Sequence, residues 1–203
     1  MIRSPLRAGI ALACALSLSA CGGGSGDLYI SGTAFGVTKT GLVLTNNGGD
    51  DLAVNPSSTS NAAVSFVFSK LVETDGGYNV QVKSVPSNVE KKEDCVVTRG
   101  SGKAVFSVSN IEVVCKIRSH ALGGTIVGLA GASNLALVNG TDRLDVTPAG
   151  TATQSFAMKP VSEDTVYGIS ILRQPDGRTC TVENPSGTML AADINNVVVR
   201  CTQ

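Results

Sequence analysis

The 203-residue chain has no tryptophan, only 4% aromatic residues and a single histidine. With so few aromatic side chains no broad platform for stacking sugars or bases is expected, and Tyr29, Tyr78 and Tyr167 are the only tyrosines from which a smaller one could be built. The lone histidine, His120, follows Arg118-Ser119 with no orienting acid beside it in sequence. It therefore reads as a solvated residue and not as the base of a triad or a metal ligand. Charge is balanced, 16 Lys+Arg against 16 Asp+Glu, and no basic run stands out. Phosphate neutralisation needs a basic face, so no nucleic-acid partner is expected. Ser-x-x-Lys and Cys-x-x-Cys spacings are both missing, which removes the usual signatures of serine/lysine catalysis, zinc and dithiol redox chemistry. No catalytic residue, metal ligand or cofactor is expected.

What is present begins at the N-terminus. Arg3 and Arg7 precede an apolar stretch from Ala8 to Leu18, too short to span a bilayer as a helix, and Leu18-Ser19-Ala20-Cys21 closes it. This resembles the type II signal peptide and lipobox of bacterial lipoproteins: an aliphatic residue, two small residues and a cysteine. The resemblance implies that residues 1–20 are removed and that Cys21 is lipidated on its sulfur with a diacylglyceryl group and acylated on its amine. More than one acyl chain gives a stable anchor. Gly22 follows where inner-membrane retention is associated with Asp, which favours the outer membrane. Gly22-Gly23-Gly24-Ser25-Gly26 is then a flexible tether within 21–27, reaching about 12 Å as a coil and about 20 Å stretched.

Cleavage would discard Cys14 and lipidation would use Cys21. Cys95, Cys115, Cys180 and Cys201 remain, an even number in an exported chain, which favours disulfides. Cys95 to Cys115 and Cys180 to Cys201 enclose loops of nearly equal length, so the spacing selects these two pairs.

That equality belongs to a larger repeat. Ser31-Gly32-Thr33 recurs as Gly123-Gly124-Thr125, and Gly41-Leu42-Val43-Leu44 as Asn134-Leu135-Ala136-Leu137. Asn47-Gly48-Gly49-Asp50-Asp51-Leu52 recurs as Asn139-Gly140-Thr141-Asp142-Arg143-Leu144, Phe66 as Phe156, Tyr78 as Tyr167, and Asn110 to Cys115 as Asn196 to Cys201. Duplication is the economical account. It divides the mature chain into a first repeat, 28–117, a connector, 118–120, and a second repeat, 121–203.

Each repeat is read as strands. In Tyr78-Asn79-Val80-Gln81-Val82-Lys83 the apolar residues share one face, and Tyr167, Ile169 and Ile171 do the same in the second repeat. Asn46-Asn47-Gly48-Gly49-Asp50 between two apolar runs is a hairpin signal. About seven short strands per repeat, without sustained helical periodicity, predict an all-β chain of two tandem Ig-like β-sandwich domains, each with one intradomain disulfide. A small barrel is the alternative. The repeat resembles a β-sandwich module found, often in tandem, in uncharacterised lipoproteins and surface proteins of Gram-negative bacteria. Its Gly-Thr, Leu-Val-Leu, Asn-Asn-Gly-Gly-Asp-Asp-Leu and Tyr-Asn-Val-Gln-Val segments and paired cysteines carry the likeness, which implies an envelope-exposed accessory module.

Two segments remain as candidate sites. Asn46 to Asp51 offers oxygen ligands of the kind calcium takes, but the second repeat sets Arg143 beside Asp142, and an ordinary hairpin is expected. The Pro86 to Cys95 loop holds Glu90-Lys91-Lys92-Glu93-Asp94, an insertion without counterpart between Pro175 and Cys180; Glu90, Glu93 and Asp94 are the expected partner contacts. The expectation is a non-enzymatic lipoprotein at the outer membrane, binding or supporting an envelope protein or polysaccharide. The alternative is a periplasmic inhibitor or immunity-type lipoprotein that neutralises a toxin or hydrolase.

Overall fold

The computed structural model describes residues 27–58 and 63–203. The signal segment, Cys21 and the tether up to Gly26 lie outside the described residues. The first repeat forms β1 (Ile30–Phe35), β2 (Leu42–Asn46), β3 (Asp50–Val54), β4 (Val64–Val67), β5 (Gly76–Ser84), β6 (Cys95–Thr98), β7 (Ser101–Ala104) and β8 (Val108–Cys115). The second forms β9 (Ser119–Val127), β10 (Ala136–Asn139), β11 (Asp142–Asp145), β12 (Thr153–Ser162), β13 (Val166–Arg173), β14 (Thr179–Glu183), β15 (Ser186–Thr188) and β16 (Ile194–Thr202). The sheets are β4-β1-β8-β6 with β3-β2-β5-β7, and β12-β9-β16-β14 with β11-β10-β13-β15. The second pair repeats the order of the first strand for strand. Each repeat is thus a β-sandwich of two four-stranded sheets.

Alternation explains how each sandwich fills. Ile30 and Ala34 of β1, Leu42 and Leu44 of β2, Val80 of β5, and Ile111 and Val113 of β8 point inward and are buried. Leu122 and Ile126, Leu137, Ile169, and Val197 and Val199 fill the equivalent places in a separate second cluster. Burying each of the Val, Leu and Ile side chains among them contributes about 1.5–3 kcal/mol. Tyr78 and Tyr167 take the inward face expected of them, and their rings lie against Gly102 and Gly187 across the sheet, where an added Cβ would come within 3.1 Å of the Tyr78 hydroxyl and 2.8 Å of the Tyr167 hydroxyl and make the ring shift.

The first and last strands of each repeat run side by side and parallel, β1 with β8 and β9 with β16. Both pairs shift register at the same place, between Ile30 and Gly32 in one and between Ile194 and Val197 in the other. At that irregularity a carbonyl presses on the neighbouring strand: Ile111 O against Gly32, and Val197 O against Gly124. A Cβ at either glycine would occupy the carbonyl's space, which is why the Gly-Thr pair recurs in both repeats.

The disulfides are Cys95–Cys115 and Cys180–Cys201, one in each sandwich. Each joins residues directly opposite in register, linking edge strand β6 to β8 and edge strand β14 to β16. The bond therefore lies within one sheet, unlike the inter-sheet bond of antibody domains. Its cysteines are buried in the core clusters.

Two details differ from the sequence reading. β9 starts at Ser119, so Ser119 and His120, placed in the connector 118–120 above, are strand residues paired with Ser162 and Val161. The hairpin alignment also moves by one residue: Asn46, not Asn47, is the counterpart of Asn139. Asn46 Oδ1 accepts from Asn79 N at 3.0 Å, and Asn139 Oδ1 accepts from Gly168 N at 2.9 Å. The first loop has three residues between Asn46 and Asp50 and the second has two between Asn139 and Asp142, an inserted residue that spacing alone misplaces.

Replacing Gly124 with Ala should destabilise the second sandwich by about 1–3 kcal/mol, as an overpacked site does, whereas Gly168→Ala, where a Cβ meets open space, should be close to neutral. Thermal unfolding of the two variants checks this. The double variant Cys180→Ala/Cys201→Ala should lose about 3 kcal/mol from the release of a loop of about twenty residues, read as a lowered denaturant midpoint.

Candidate functional site

Ionisable groups converge where the first sandwich hands over to the second. The turn between β12 and β13 contributes Glu163 and Asp164, the second residue of β9 is His120, the chain before it contributes Arg118, the β1–β2 loop Thr38 and Lys39, and the loop after β5 Asn88. Glu163 is only 1% exposed. A buried carboxylate needs partners, and Glu163 has three. His120 Nε2 lies 2.9 Å from Oε1, Lys39 Nζ donates to Oε2 at 3.0 Å, and Arg118 approaches Oε1 at 3.7 Å. A carboxylate only accepts, so His120 Nε2 carries the shared proton. The backbone closes the same contact, with Glu163 N donating to Arg118 O at 2.9 Å.

Asp164 extends the network. Its Oδ2 accepts from Thr38 Oγ1 at 2.8 Å and from Asn88 Nδ2 at 3.0 Å, and Lys39 lies 3.5 Å from Oδ1. Asn88 also donates to Thr38 Oγ1 at 2.6 Å, and its own carbonyl accepts from Arg118 N at 2.8 Å. Asn88 Oδ1 is buried here without a protein donor, a position suited to one bound water. On the other side of the imidazole, Asp193 Oδ1 stands 3.9 Å from His120 Nδ1 and accepts from Ala121 N at 2.8 Å.

The hydrogen bond from His120, followed by the Lys39 ammonium and Arg118, holds the Glu163 carboxyl below the usual glutamate range against the opposing effect of burial. Glu163 in turn raises Lys39, with Asp164 adding to the effect. The arrangement is a lock between two folded bodies: one buried acid on the second sandwich, clasped by Lys39 from the first, by Arg118 of the connecting chain and by His120 of its own strand β9. Sequence reasoning missed it because Glu163 lies 43 residues from His120 and 124 from Lys39. Nothing local marks Ser162-Glu163-Asp164-Thr165 as other than a solvated turn.

Beside the lock is an open cleft of about 340 Å³ lined by Glu90, Asp94, Lys116, Ile117, Arg118 and Ser119. Of the expected contact residues, Glu90 and Asp94 flank this cleft, and Glu93 sits in the short 3₁₀ turn Lys92–Asp94, exposed to solvent. Ahead of the insertion, in the same Pro86 to Cys95 loop, Asn88 and Val89 are buried, Asn88 beneath the lock, while Glu90 to Glu93 are exposed. The loop thus has a structural root and an exposed charged crest. At the start of β3, Asp50 accepts from Ser69 Oγ and Lys70 N, Asp51 pairs with Lys83, and the two carboxylates engage different protein donors.

No protein-family model and no curated protein matches the sequence. Among solved structures the chain is similar to the Bacillus anthracis TIE protein, with 14% identity and a TM-score of 0.42 over 86% of this chain. The match spans 34% of that protein's chain.

The sign of the pH dependence follows from the lowered Glu163 pKa. Its contribution is fully present above its unfolded value, about pH 4.3, and is lost as pH falls through the lower folded value. The raised Lys39 contributes below its unfolded value, about pH 10.4, and loses its contribution as pH rises through the folded one. The lock should therefore hold at neutral pH and loosen in acid. Residual dipolar couplings of the two sandwiches should fit one alignment tensor at neutral pH and two in acid. Glu163→Gln should give two tensors already at neutral pH and lower stability by about 2 kcal/mol.

Proposed function

We propose that the protein is a non-enzymatic outer-membrane lipoprotein, anchored through Cys21, whose two sandwiches act as one binding or structural module of the cell envelope. The observation that carries this reading is the use made of the converging ionisable groups. Lys39 and Thr38 bind Glu163 and Asp164 across the joint, and His120 and Arg118 complete the partners of Glu163, so the chemistry of these groups is spent on fixing the two bodies relative to each other. A fixed joint suits a spacer or docking module. The signal segment with Leu18-Ser19-Ala20-Cys21 supports the anchor, and two disulfides suit an oxidising compartment such as the periplasm or cell surface.

The cleft beside the joint is where a partner meets this module. Glu90, Asp94, Lys116 and Arg118 give it both signs of charge around a small opening, which suits a polar protein loop or a polysaccharide. A second reading, a periplasmic inhibitor of a toxin or hydrolase, is favoured by the Glu90 to Asp94 crest, which the second sandwich lacks and which presents Glu90 and Glu93 to solvent.

Fractionation and capture test both levels. Cys21→Ser should move the protein from the membrane to the soluble fraction; retention in the membrane fraction would refute the anchor. Residues 27–203, which contain both cores, should be retained on peptidoglycan or envelope polysaccharide. A stoichiometric, salt-sensitive complex with a single exported enzyme, weakened by Glu90→Gln, Glu93→Gln and Asp94→Asn, would instead establish the inhibitor.

A further inference from the structure

Parallel pairing of first and last strands gives each sandwich a proximal end, where the chain arrives, and a distal end, where it leaves. In the second sandwich part of the proximal end is docked, since Glu163 and Asp164 there meet Lys39 and Thr38 of the distal loops of the first, while Leu190 stays 65% exposed beside them. The proximal end of the first sandwich is built the same way from different residues. Asp75 stands for Asp164, both with φ of 63°, and Asp75 N donates to Ala104 O as Asp164 N donates to Met189 O. Thr74 takes the place of Glu163, Leu28 that of His120, Tyr29 that of Ala121, and Phe106 that of Ala191.

These exchanges remove the ionic docking groups and add Tyr29 and Phe106 to an exposed apolar position that both sandwiches keep, Val105 in the first and Leu190 in the second. Phe106 is 80% exposed, Tyr29 55%, Val105 54% and Leu71 40%. They belong to one surface: Tyr29 N donates to Ser107 Oγ at 3.1 Å, Val108 N donates to Tyr29 O at 2.8 Å, and Leu28 bridges to Val72 beside Leu71. Exposed large apolar side chains gathered at one end mark a contact surface.

We infer that this end rests on the lipid bilayer, with Phe106 and Val105 entering the headgroup boundary and Tyr29 at the interface. The inference rests on the reading of Cys21 as the lipidated residue. Between Cys21 and Asp27 the chain can span at most about 20 Å, so the anchor holds this end, rather than the distal one, against the membrane. Aromatic and aliphatic side chains at such a boundary add apolar burial to the hold of the acyl chains. The rim mixes Lys70 and Lys103 with Asp27, Glu73 and Asp75, so it offers no net attraction to anionic headgroups. The contact is apolar and therefore insensitive to salt.

Because the chain has no tryptophan, Phe106→Trp installs a single reporter. The lipidated protein carrying it is placed on phosphatidylethanolamine/phosphatidylglycerol vesicles with brominated acyl chains. Its emission should shift to the blue and be quenched, at low and high salt alike, while Leu172→Trp, at an exposed site of the second sandwich, should do neither. Protein that floats with the vesicles but keeps an unquenched, water-like F106W emission overturns this inference and leaves the anchor standing. Protein that does not float overturns both. A blue shift that grows with concentration in the vesicle-free Cys21→Ser, Phe106→Trp protein would assign the surface to a second copy, and would also overturn it.

Discussion

The arrangement depends on one close contact, the parallel seating of the first strand of each repeat beside the last. Antiparallel neighbours could be joined by a tight turn, whereas parallel neighbours require the chain to travel out and back before it closes. Here the whole repeat lies between β1 and β8, or between β9 and β16. The seating is possible because Gly32 and Gly124 offer no side chain where the opposing carbonyls of Ile111 and Val197 press in. The rest of the geometry follows. The chain comes in at one end of each sandwich and leaves at the other, so the second repeat meets the distal loops of the first and not its sheet faces.

This placement explains why the joint is polar. The surfaces that meet are loops, whose backbone groups and short polar side chains must be satisfied when water is withdrawn. Glu163 is the residue most deeply withdrawn, and it is surrounded by His120, Lys39 and Arg118. A buried acid with partners from both bodies is poor as a source of net stability but strict about geometry, because removing any partner leaves a charge uncompensated. The joint therefore fixes orientation more than it adds free energy. The disulfides act elsewhere, holding an edge strand to its neighbour within each sheet, so folding of the sandwiches and their mutual orientation rest on different interactions.

The duplicated ends also show how one scaffold has been put to two uses. The proximal end of the second sandwich carries His120 and Glu163 and faces protein; that of the first carries Tyr29 and Phe106 and faces outward. The backbone geometry beneath is shared, down to the left-handed Asp75 and Asp164. Side chains at a few turn positions decide what each end meets. The loop after β5 works similarly, its root packed under the joint through Asn88 and its inserted crest left to solvent through Glu90 and Glu93.

Much of the fold was legible in the sequence because its signals are local. Alternation in Tyr78 to Lys83 assigns an inward face within a few residues, Asn-Gly loops announce hairpins, and two equal cysteine loops in a repeated chain select their own pairing. Repetition carried these signals further, since each landmark appears twice. The joint was not legible in this way. Its acid, imidazole and ammonium come from turns far apart in the chain, each of which looks solvated alone. The sequence thus determined by itself that the protein is a pair of disulfide-bonded β-sandwiches, because strand period and cysteine spacing depend on neighbouring residues. Only the tertiary structure decided that Glu163 is buried, that His120 and Lys39 reach it, and that Phe106 is left exposed. Those outcomes depend on which ends of the sandwiches meet, and parallel closure of each repeat sets that.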